Sequence, residues 1–354
     1  MMPPNEPRAG QSAGIRELFE EWPSDQPNEW LSRDEIASLH TIRYGRVVAD
    51  ISLSWALVLL ALYAAIWTSS FAVGATAFIL IGCLQNAFIL WTHEASHYNL
   101  SRNKRVNDWL SDVFISGPTG VTVGQYRWQH VRHHRYLGDP QKEIEPLAWI
   151  CIRSNNLYLE ILRHLAGIYG LRVIQRYQKQ DHDPRYSNLP KRSVASLAGF
   201  VIGNGILFGL CAIHGKWYLY FLLWVLPLFT IALLIGNFRT IVEHQPSSDV
   251  CDVGLVRIPA VTRVVRSGWL ERLLIAPVGF YYHFEHHLFP GVPYHRLKEV
   301  RKMLVQRGCF DRKHIVWADG YIRTIWNLAM KPGYGLRIER APESLPLQKA
   351  SLGR

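Results

Sequence analysis

The sequence predicts an all-α integral membrane protein in which four transmembrane helices form two hairpins beneath a helical cytoplasmic cap. Three observations lead to this fold class: four apolar runs of spanning length, basic residues confined to one side of those runs, and histidines clustered on the same side. The composition agrees, because 49% of the 354 residues are apolar and only 19% are charged. This balance is typical of a chain with a few spanning helices and a large polar part.

The four apolar segments each have about 20 residues, the length of helix that crosses a hydrocarbon core of about 30 Å. The first two are separated only by residues 68–70, and the last two only by residues 214–216. Such short connections predict antiparallel neighbours, and therefore two helical hairpins. The predicted spans are 47–67, 71–91, 195–213 and 217–236.

The basic residues lie almost entirely on one side of these spans. Of the 39 Lys and Arg residues, only Lys216 falls in a hairpin turn. Because cytoplasmic loops are enriched in Lys and Arg, this asymmetry predicts that both termini are cytoplasmic. It also explains the net charge of +11 through membrane orientation and contact with anionic lipids. Binding to nucleic acid is therefore not expected.

The chain is predicted to divide into a cytoplasmic N-terminal arm (1–46), a membrane domain (47–310) and a cytoplasmic C-terminal tail (311–354). Two further stretches, 106–123 and 157–177, are rich in apolar residues. The first is too short to span and breaks at a Gly-Pro pair, and the second interleaves its apolar residues with arginines. They are expected either to lie at the bilayer surface or to form core helices of the cap.

The five cysteines are far apart, odd in number and contain no Cys-x-x-Cys pair: Cys83, Cys151, Cys211, Cys251 and Cys309. This pattern argues against a disulfide framework, a zinc ribbon and a rubredoxin-like module in the same chain. The N-terminus has no apolar stretch of the kind found in a cleaved secretory signal. We therefore expect free thiols in a reducing compartment.

Eight of the 15 histidines fall in three tight clusters. HEASH at 93–97 directly follows the second span, HVRHH occupies 130–134, and HFEHH at 283–287 follows the fourth span. Positions i, i+3 and i+4 share one face of a helix, so the histidines of each cluster point the same way. Imidazole binds transition metals, and eight imidazoles exceed what one ion takes. We expect two metal ions, each with a position open for oxygen, bound by His93, His97, His130, His133, His134, His283, His286 and His287.

Other polar residues near the clusters are candidates for the same site. His244 is predicted as a ninth ligand because it follows the fourth span at the membrane level of His93. Asn237 lies on the same helical face and is expected either to bind the metal, directly or through water, or to make a cap or interhelical hydrogen bond. Four carboxylates could accept a hydrogen bond from the second nitrogen of a metal-bound imidazole: Glu94, Asp139, Glu243 and Glu285. Gln85 and Asn86, late in the second span, are predicted to line a substrate channel or to join two helices.

The segment His93-Glu94-x-x-His97 also matches the zinc metalloprotease pattern, in which the glutamate is the general base. That interpretation predicts a single zinc ion with a third ligand elsewhere in the chain. It leaves the six histidines of the other two clusters without a purpose. An intramembrane zinc protease is therefore only a remote alternative.

Together the three clusters resemble the histidine boxes of the membrane-bound fatty acid desaturase and hydroxylase superfamily. The order of the boxes and their position beside two membrane hairpins match over roughly residues 71–300. The resemblance implies a histidine-ligated di-iron site in the cap, with His244 supported as a ligand. It also implies removal of hydrogen from an unactivated C–H bond with O2 as co-substrate. A fatty acyl lipid or free fatty acid would be the substrate.

The resemblance further implies a separate electron donor of the ferredoxin, rubredoxin or cytochrome type, with its reductase. The compact length and the lack of a fused haem-binding His-Pro-Gly-Gly sequence suggest a bacterial inner-membrane protein. The histidine boxes favour desaturation but leave the outcome of the reaction open. A hydroxylase or ketolase, a decarboxylase that forms a terminal alkene, and a non-enzymatic metal-binding membrane protein are the alternatives.

Overall fold

A computed structural model of the chain describes residues 30–136, 157–180, 188–244, 262–311 and 315–330. Within these ranges the chain is almost entirely helical. Two very short strands, β1 (Val264–Val265) and β2 (Trp317–Ala318), pair in parallel. The helices are α1 (Arg33–Leu39), α2 (Tyr44–Thr68), α3 (Phe71–Ser96), α4 (Lys104–Phe114), α5 (Val123–Tyr136), α6 (Leu157–Leu165), α7 (Ile168–Gln180), α8 (Val194–Ala212), α9 (Tyr218–Glu243), α10 (Trp269–Leu274), α11 (His283–Leu288), α12 (Leu297–Gln306) and α13 (Tyr321–Met330).

Four of these helices, α2, α3, α8 and α9, are long and apolar enough to cross a membrane. Each predicted span therefore corresponds to one helix, but two helices continue well past the predicted ends. Helix α3 extends to Ser96 and α9 to Glu243, whereas the apolar runs end at 91 and 236. The reason is that hydropathy falls where polar site residues begin, while the helical hydrogen bonding continues. The extension of α3 carries the first histidine box, and the extension of α9 ends directly before His244.

Helix α9 is irregular in its middle. It contains π-helical segments at Phe221–Val225 and Leu228–Ala232. Pro227 lies between them and lacks the N–H that would continue the regular helical pattern. On the neighbouring helix α3, Gln85 donates a hydrogen bond from Nε2 to the carbonyl oxygen of Trp224, at 2.6 Å. This side chain therefore joins the two longest spans at the irregular segment.

Asp112, near the end of α4, determines where α5 begins. Its buried carboxylate accepts hydrogen bonds from the backbone N–H of Val123 at 2.8 Å and from the hydroxyl of Ser193 at 2.5 Å. The first bond lies at the start of α5 and the second at the N-terminal cap of α8. One side chain thus ties α5, which carries the second histidine box, to a membrane-spanning helix.

Both ends of the described chain pack against the third histidine box or against α9. Trp30 and Leu31, in the predicted N-terminal arm, are buried in a cluster with residues of α11 and α12. Helix α1 follows, with a capping box formed by Ser32 and Glu35. At the other end, β2 pairs with β1 and α13 contacts α9. The packed structure therefore continues beyond residue 310, where the tail was predicted to begin.

The two stretches predicted as surface or cap helices expose their apolar faces. The first forms α4, in which Trp109 is 51% exposed. The second is broken at Gly167, which has φ +73°, into α6 and α7. Leu162 and Leu171 on this pair are 62% and 61% exposed. Apolar side chains that point outward do not form the core of a cap, so this arrangement favours contact with lipid.

Candidate metal centre

Four parts of the chain bring nine histidines into one region. The end of α3 carries His93 and His97, and α5 carries the three histidines of the second box. His244 caps the end of α9, and α11 carries the third box. The nitrogens form two groups, and within each group the atoms lie within 4.8 Å of one another. The first group is His93, His97, His130, His134 and His286, and the second is His133, His244, His283 and His287.

The two groups adjoin each other and share the histidine boxes. The second and third boxes each contribute to both groups, whereas the first box contributes only to the first. The imidazole rings of His134 and His287, one from each group, have centroids 4.4 Å apart. The arrangement therefore offers two neighbouring metal positions, as the number of histidines predicts.

In each group, three of the Nε2 atoms lie close together. In the first group, Nε2 of His134 lies 2.9 Å from that of His130 and 3.2 Å from that of His286. In the second, Nε2 of His283 lies 2.8 Å from that of His244 and 2.9 Å from that of His287. With metal–nitrogen bonds of about 2.1 Å, adjacent ligands at right angles have nitrogens about 3 Å apart. The observed separations match ligands on a common ion.

Burial keeps these imidazoles in the neutral form that binds metals. Burial, and then the charges of Arg127 and His133, lower the pKa of His97 to about 3. Burial and the neighbouring histidines also hold well below its usual range the pKa of each of His130, His134, His283, His286 and His287. Within the described ranges, Nε2 of His93 and Nε2 of His97 are buried without a hydrogen-bond partner. A buried polar atom without a partner costs about 1–3 kcal/mol, and a metal ion would supply that partner.

Glu94 lies beside the first group. Its Oε1 is 3.6 Å from Nδ1 of His93. Its Oε2 accepts hydrogen bonds from the backbone N–H of Tyr294 at 3.0 Å and from the side-chain amide of Asn99 at 3.3 Å. The carboxylate is thus fixed next to a ring nitrogen by two neutral donors, one from the loop after the third box and one just after the first box. In this position it can orient His93, but it is not free to serve as a protease base.

Glu243 lies beside the second group and has a different environment. Its Oε2 is 4.0 Å from Nε2 of His283 and also accepts from the guanidinium of Arg239. Its Oε1 accepts from the hydroxyl of Tyr321 at 2.9 Å. The side chain of Arg239 is only 9% exposed, so this is a buried ion pair. Glu243 places negative charge close to the nitrogens of the second group.

The structure does not bring two of the other polar candidates to the histidines. Glu285, although inside the third box, is held by both arms of the Arg301 guanidinium. Asn237 faces His164, with its Nδ2 2.9 Å from His164 Nε2. This contact is an interhelical hydrogen bond, one of the two alternatives expected for Asn237. Asp139 lies outside the described residues.

The two polar residues of the second span both join α3 to other segments. Gln85 bonds to Trp224, as described above, and Asn86 donates to the carbonyl oxygen of Ile275 at 3.0 Å. Both side chains are fully buried, and the amide oxygen of each lacks a hydrogen-bond partner within the described ranges. The observed contacts therefore favour a role in joining segments.

Three residues that contact the site were not predicted from the sequence. Phe280 lies against both groups, with its ring centroid 4.6 Å from that of His93 and 4.7 Å from that of His283. Arg239 stacks over Phe280 at 4.1 Å, and Tyr321 bonds to Glu243. Arg239 could have been found, because it lies four residues before Glu243 on one helix. Tyr321 carries no local signal, since it reaches the site only through the packing of α13.

Comparison with known proteins defines the class to which this fold and site belong. Residues 69–318 match the family model described as fatty acid desaturase, so the chain belongs to the fatty acid desaturase family, and the expected family is confirmed. This membership covers all nine clustered histidines. It identifies the chain as a member of an oxidoreductase family, with four candidate membrane helices and histidine clusters suited to metal.

The individual relatives have low sequence identity to this chain. The chain is similar to dihydrorhizobitoxine desaturase of Bradyrhizobium elkanii, with 27% identity over 70% of this chain and 72% of the relative. It is also similar to the human sphingolipid delta(4)-desaturase/C4-monooxygenase, with 25% identity over 73% of both chains. A delta 8-(E)-sphingolipid desaturase of Komagataella phaffii is 21% identical over 64% of this chain and 48% of the relative.

Proposed function

We propose that this protein is a membrane-bound, O2-dependent desaturase that introduces a double bond into a fatty acyl-type chain at a site holding two iron ions. The observation that carries the proposal is the pair of adjoining histidine groups, whose nitrogens lie within 4.8 Å of one another in each group. Two adjacent ions ligated by neutral imidazoles suit iron. Family membership supports desaturation in general. To this we add the two iron ions, the use of O2 and the fatty acyl-type substrate.

The bound iron would supply the oxidant that removes hydrogen from an unactivated C–H bond. In the overall reaction the chain loses two hydrogens, and O2 is reduced to two waters with two electrons and two protons. A separate donor of the ferredoxin, rubredoxin or cytochrome type, with its reductase, would supply the electrons. The protein's own residues hold the ions through nine imidazoles, orient His93 through Glu94, and offset positive charge at the second group through Glu243.

The substrate is proposed to be a fatty acyl lipid or free fatty acid drawn from the bilayer. Four apolar helices of spanning length and two relatives named for sphingolipids support this substrate class. The charge distribution supports a cytoplasmic active site and cytoplasmic termini, with a bacterial inner membrane as the location. No feature of the described site favours a protease, because His93 and His97 belong to a five-histidine group.

Hydroxylation is the second candidate, and one observation favours it. The human relative is named both as a desaturase and as a C4-monooxygenase, so one related protein is named for both outcomes. After hydrogen is removed from one carbon, either the neighbouring carbon loses a hydrogen and a double bond forms, or the first carbon gains a hydroxyl group. The same site could therefore perform either reaction, depending on how the chain is held.

The test is lipid analysis of cells that express the protein, with cells expressing His286→Ala as the control. Lipids that lose two hydrogens support desaturation, and lipids that gain one oxygen support hydroxylation. Shortened terminal alkenes in the headspace would instead indicate decarboxylation. Metal analysis of the purified protein should find about two irons per chain. A single zinc, or no oxygen consumption with any lipid and a reductant, would refute the proposal.

A further inference from the structure

Two asparagines occupy equivalent positions on the two spans that lead to the histidines. Asn86 lies seven residues before His93 on α3, and Asn237 lies seven residues before His244 on α9. At a rise of 1.5 Å per residue, each is about 10 Å further toward the membrane than its histidine. Each hydrogen-bonds to a segment that does not span, so two non-spanning segments reach below the metal centre.

The first of these segments is the α6–α7 pair. His164, at the end of α6, meets Asn237 at 2.9 Å. Beyond the turn, Gly170 packs so closely on α9 that an added Cβ would lie 2.7 Å from the Cβ of Phe229. Phe229 lies seven residues inside the apolar run that ends at Gly236, which corresponds to about 10 Å of helix. The start of α7 therefore lies beside the apolar part of α9, about 10 Å from the end of the apolar run.

The second segment is α10 and the residues that follow it. The carbonyl oxygen of Ile275 accepts from Asn86 at 3.0 Å. Asn86 lies five residues inside the apolar run that ends at Trp91, about 7 Å below its end. From Ile275 the chain reaches Phe280, and then the third histidine box, within a few residues. This segment therefore connects Ile275, beside the apolar run of α3, to the metal centre within a few residues.

The surfaces of both segments suit contact with acyl chains. On α10, Trp269 and Leu273 are 72% and 61% exposed, and on α7, Leu171 is 61% exposed. Leu226, deeper on the spanning helix α9, is 43% exposed, so the two segments are at least as exposed as a side chain on a span. Apolar side chains exposed to this extent are unfavourable in water and favourable in lipid.

Glu160, His164 and Tyr169 of the α6–α7 pair find polar partners within the pair, whereas Nη1 of Arg172 is buried without a hydrogen-bond partner within the described ranges. Glu160 is fully buried and accepts hydrogen bonds from Tyr169 and from Arg163. His164 Nδ1 lies 2.7 Å from the backbone oxygen of Glu160, and Arg172 lies over the Tyr169 ring at 5.0 Å. Buried polar groups in hydrocarbon are tolerated only when they find such partners.

We propose that α6–α7 and α10 are re-entrant segments, which enter the leaflet nearest the metal centre without crossing the membrane and contact its acyl chains. The packing of Gly170 on Phe229 and the hydrogen bond from Asn86 to Ile275 hold them at that depth. The proposed partner of both segments is the hydrocarbon of the bilayer. The alternative that the test distinguishes is that they lie in water. In the chain, α10 leads directly to Phe280, which contacts both histidine groups.

The test attaches an environment-sensitive nitrobenzoxadiazole dye to single introduced cysteines in the full-length, iron-loaded protein in phosphatidylcholine–phosphatidylglycerol vesicles. Leu171→Cys and Leu273→Cys report on the two segments. Leu226→Cys is the control within the bilayer, and Lys302→Cys on α12 is the aqueous control. Quenching by lipids with a nitroxide on the acyl chain is compared with quenching by iodide. Unsubstituted protein treated with the dye gives the background from native cysteines.

We expect the ratio of nitroxide to iodide quenching at Leu171 and Leu273 to match that at Leu226, and to exceed that at Lys302 by about tenfold. Unchanged iron content in each variant shows that the fold is retained. If the label at either position behaves like the label at Lys302, that segment lies in water and the proposal is overturned for it. The result does not depend on which reaction the protein catalyses.

Discussion

The two histidine groups differ in how the protein surrounds them. Beside the first group, Glu94 is held by a backbone N–H and a side-chain amide, both uncharged donors. Beside the second group, Glu243 forms a buried ion pair with Arg239 and also accepts from Tyr321. The first group is thus supported mainly by hydrogen bonds, and the second by a balance of buried charges.

This difference shows that two similar metal positions need not be equally robust. A carboxylate held by neutral donors can lose its charge and retain part of its hydrogen bonding. Removing one charge from a buried ion pair leaves the other charge uncompensated, which costs about 3–5 kcal/mol. The second group should therefore be the more sensitive of the two to changes around it, although the proposed reaction requires both.

The largest expected effect comes from removing one proposed ligand from each group. His286→Ala in the first group and His133→Ala in the second should each reduce turnover by more than about 100-fold. The reason is that even the partners of metal ligands are worth about 10–100-fold. Iron should fall from about two to about one per chain or lower. His214→Ala, beside Trp67 and away from the cluster, is the matched control and should retain both iron and activity. Full turnover in either ligand variant would contradict the site assignment.

The substitutions Glu243→Gln and Glu94→Gln test how much each carboxylate contributes to its own histidine group. Glu243→Gln should lower activity and iron retention by about 10–100-fold, because it leaves the Arg239 guanidinium buried without a counter-charge. Glu94→Gln should cost less, since the new amide oxygen can still accept from Tyr294. Chelator competition and turnover are the two measurements. A larger loss of activity and iron retention in Glu94→Gln would show that the first group is the more sensitive of the two.

Tyr321→Phe removes one hydrogen bond to Glu243 while leaving the ring in place. We expect a loss of about 1 kcal/mol in the free energy of unfolding. That corresponds to a fall in Tm of about 2–4 °C for a domain of this size. Tyr63→Phe, on the exposed face of α2, is the control and should leave Tm unchanged. An unchanged Tm in Tyr321→Phe would mean that α13 does not support the second group.

The smallest expected effect is a pH dependence of the protein's stability, and it arises near the first group. His295 follows Tyr294, and its Nε2 accepts from the backbone N–H of Arg43 at 3.2 Å. Burial, and then the charges of Arg43 and Arg296, lower its pKa from 6.5 to about 4. The unfolded chain therefore binds a proton before the folded protein does, and stability is lost as pH falls from 6.5 to 4.

His295→Gln keeps an acceptor for Arg43 and removes the titration. Between pH 7 and pH 5, Tm should fall less in this variant than in the unsubstituted protein. The measurement is a series of thermal unfolding curves at fixed ionic strength. Equal slopes in the two proteins would show that His295 does not contribute to the acid sensitivity.

Much of this molecule could be predicted because its signals are local. Four apolar runs of spanning length predict four long helices, and the histidines at i, i+3 and i+4 predict clusters that face one way. Their number predicts two metal positions. The predicted ends of the spans were less accurate, since α3 and α9 continue past the apolar runs into the histidine region. Hydropathy reports where a helix leaves the apolar layer, and it does not report where the helix ends.

The sequence by itself determined the family, the membrane helices and the set of histidines, because each depends on spacing along a single segment. Only the tertiary structure decided how the histidines divide into five and four, since both the second and third boxes contribute to both groups. It also decided that Glu285 faces Arg301, that Asn237 faces His164, and that Tyr321 reaches Glu243. Each of these contacts joins residues from different elements of the fold. Partners of this kind are chosen by packing, and no local pattern in the sequence encodes them.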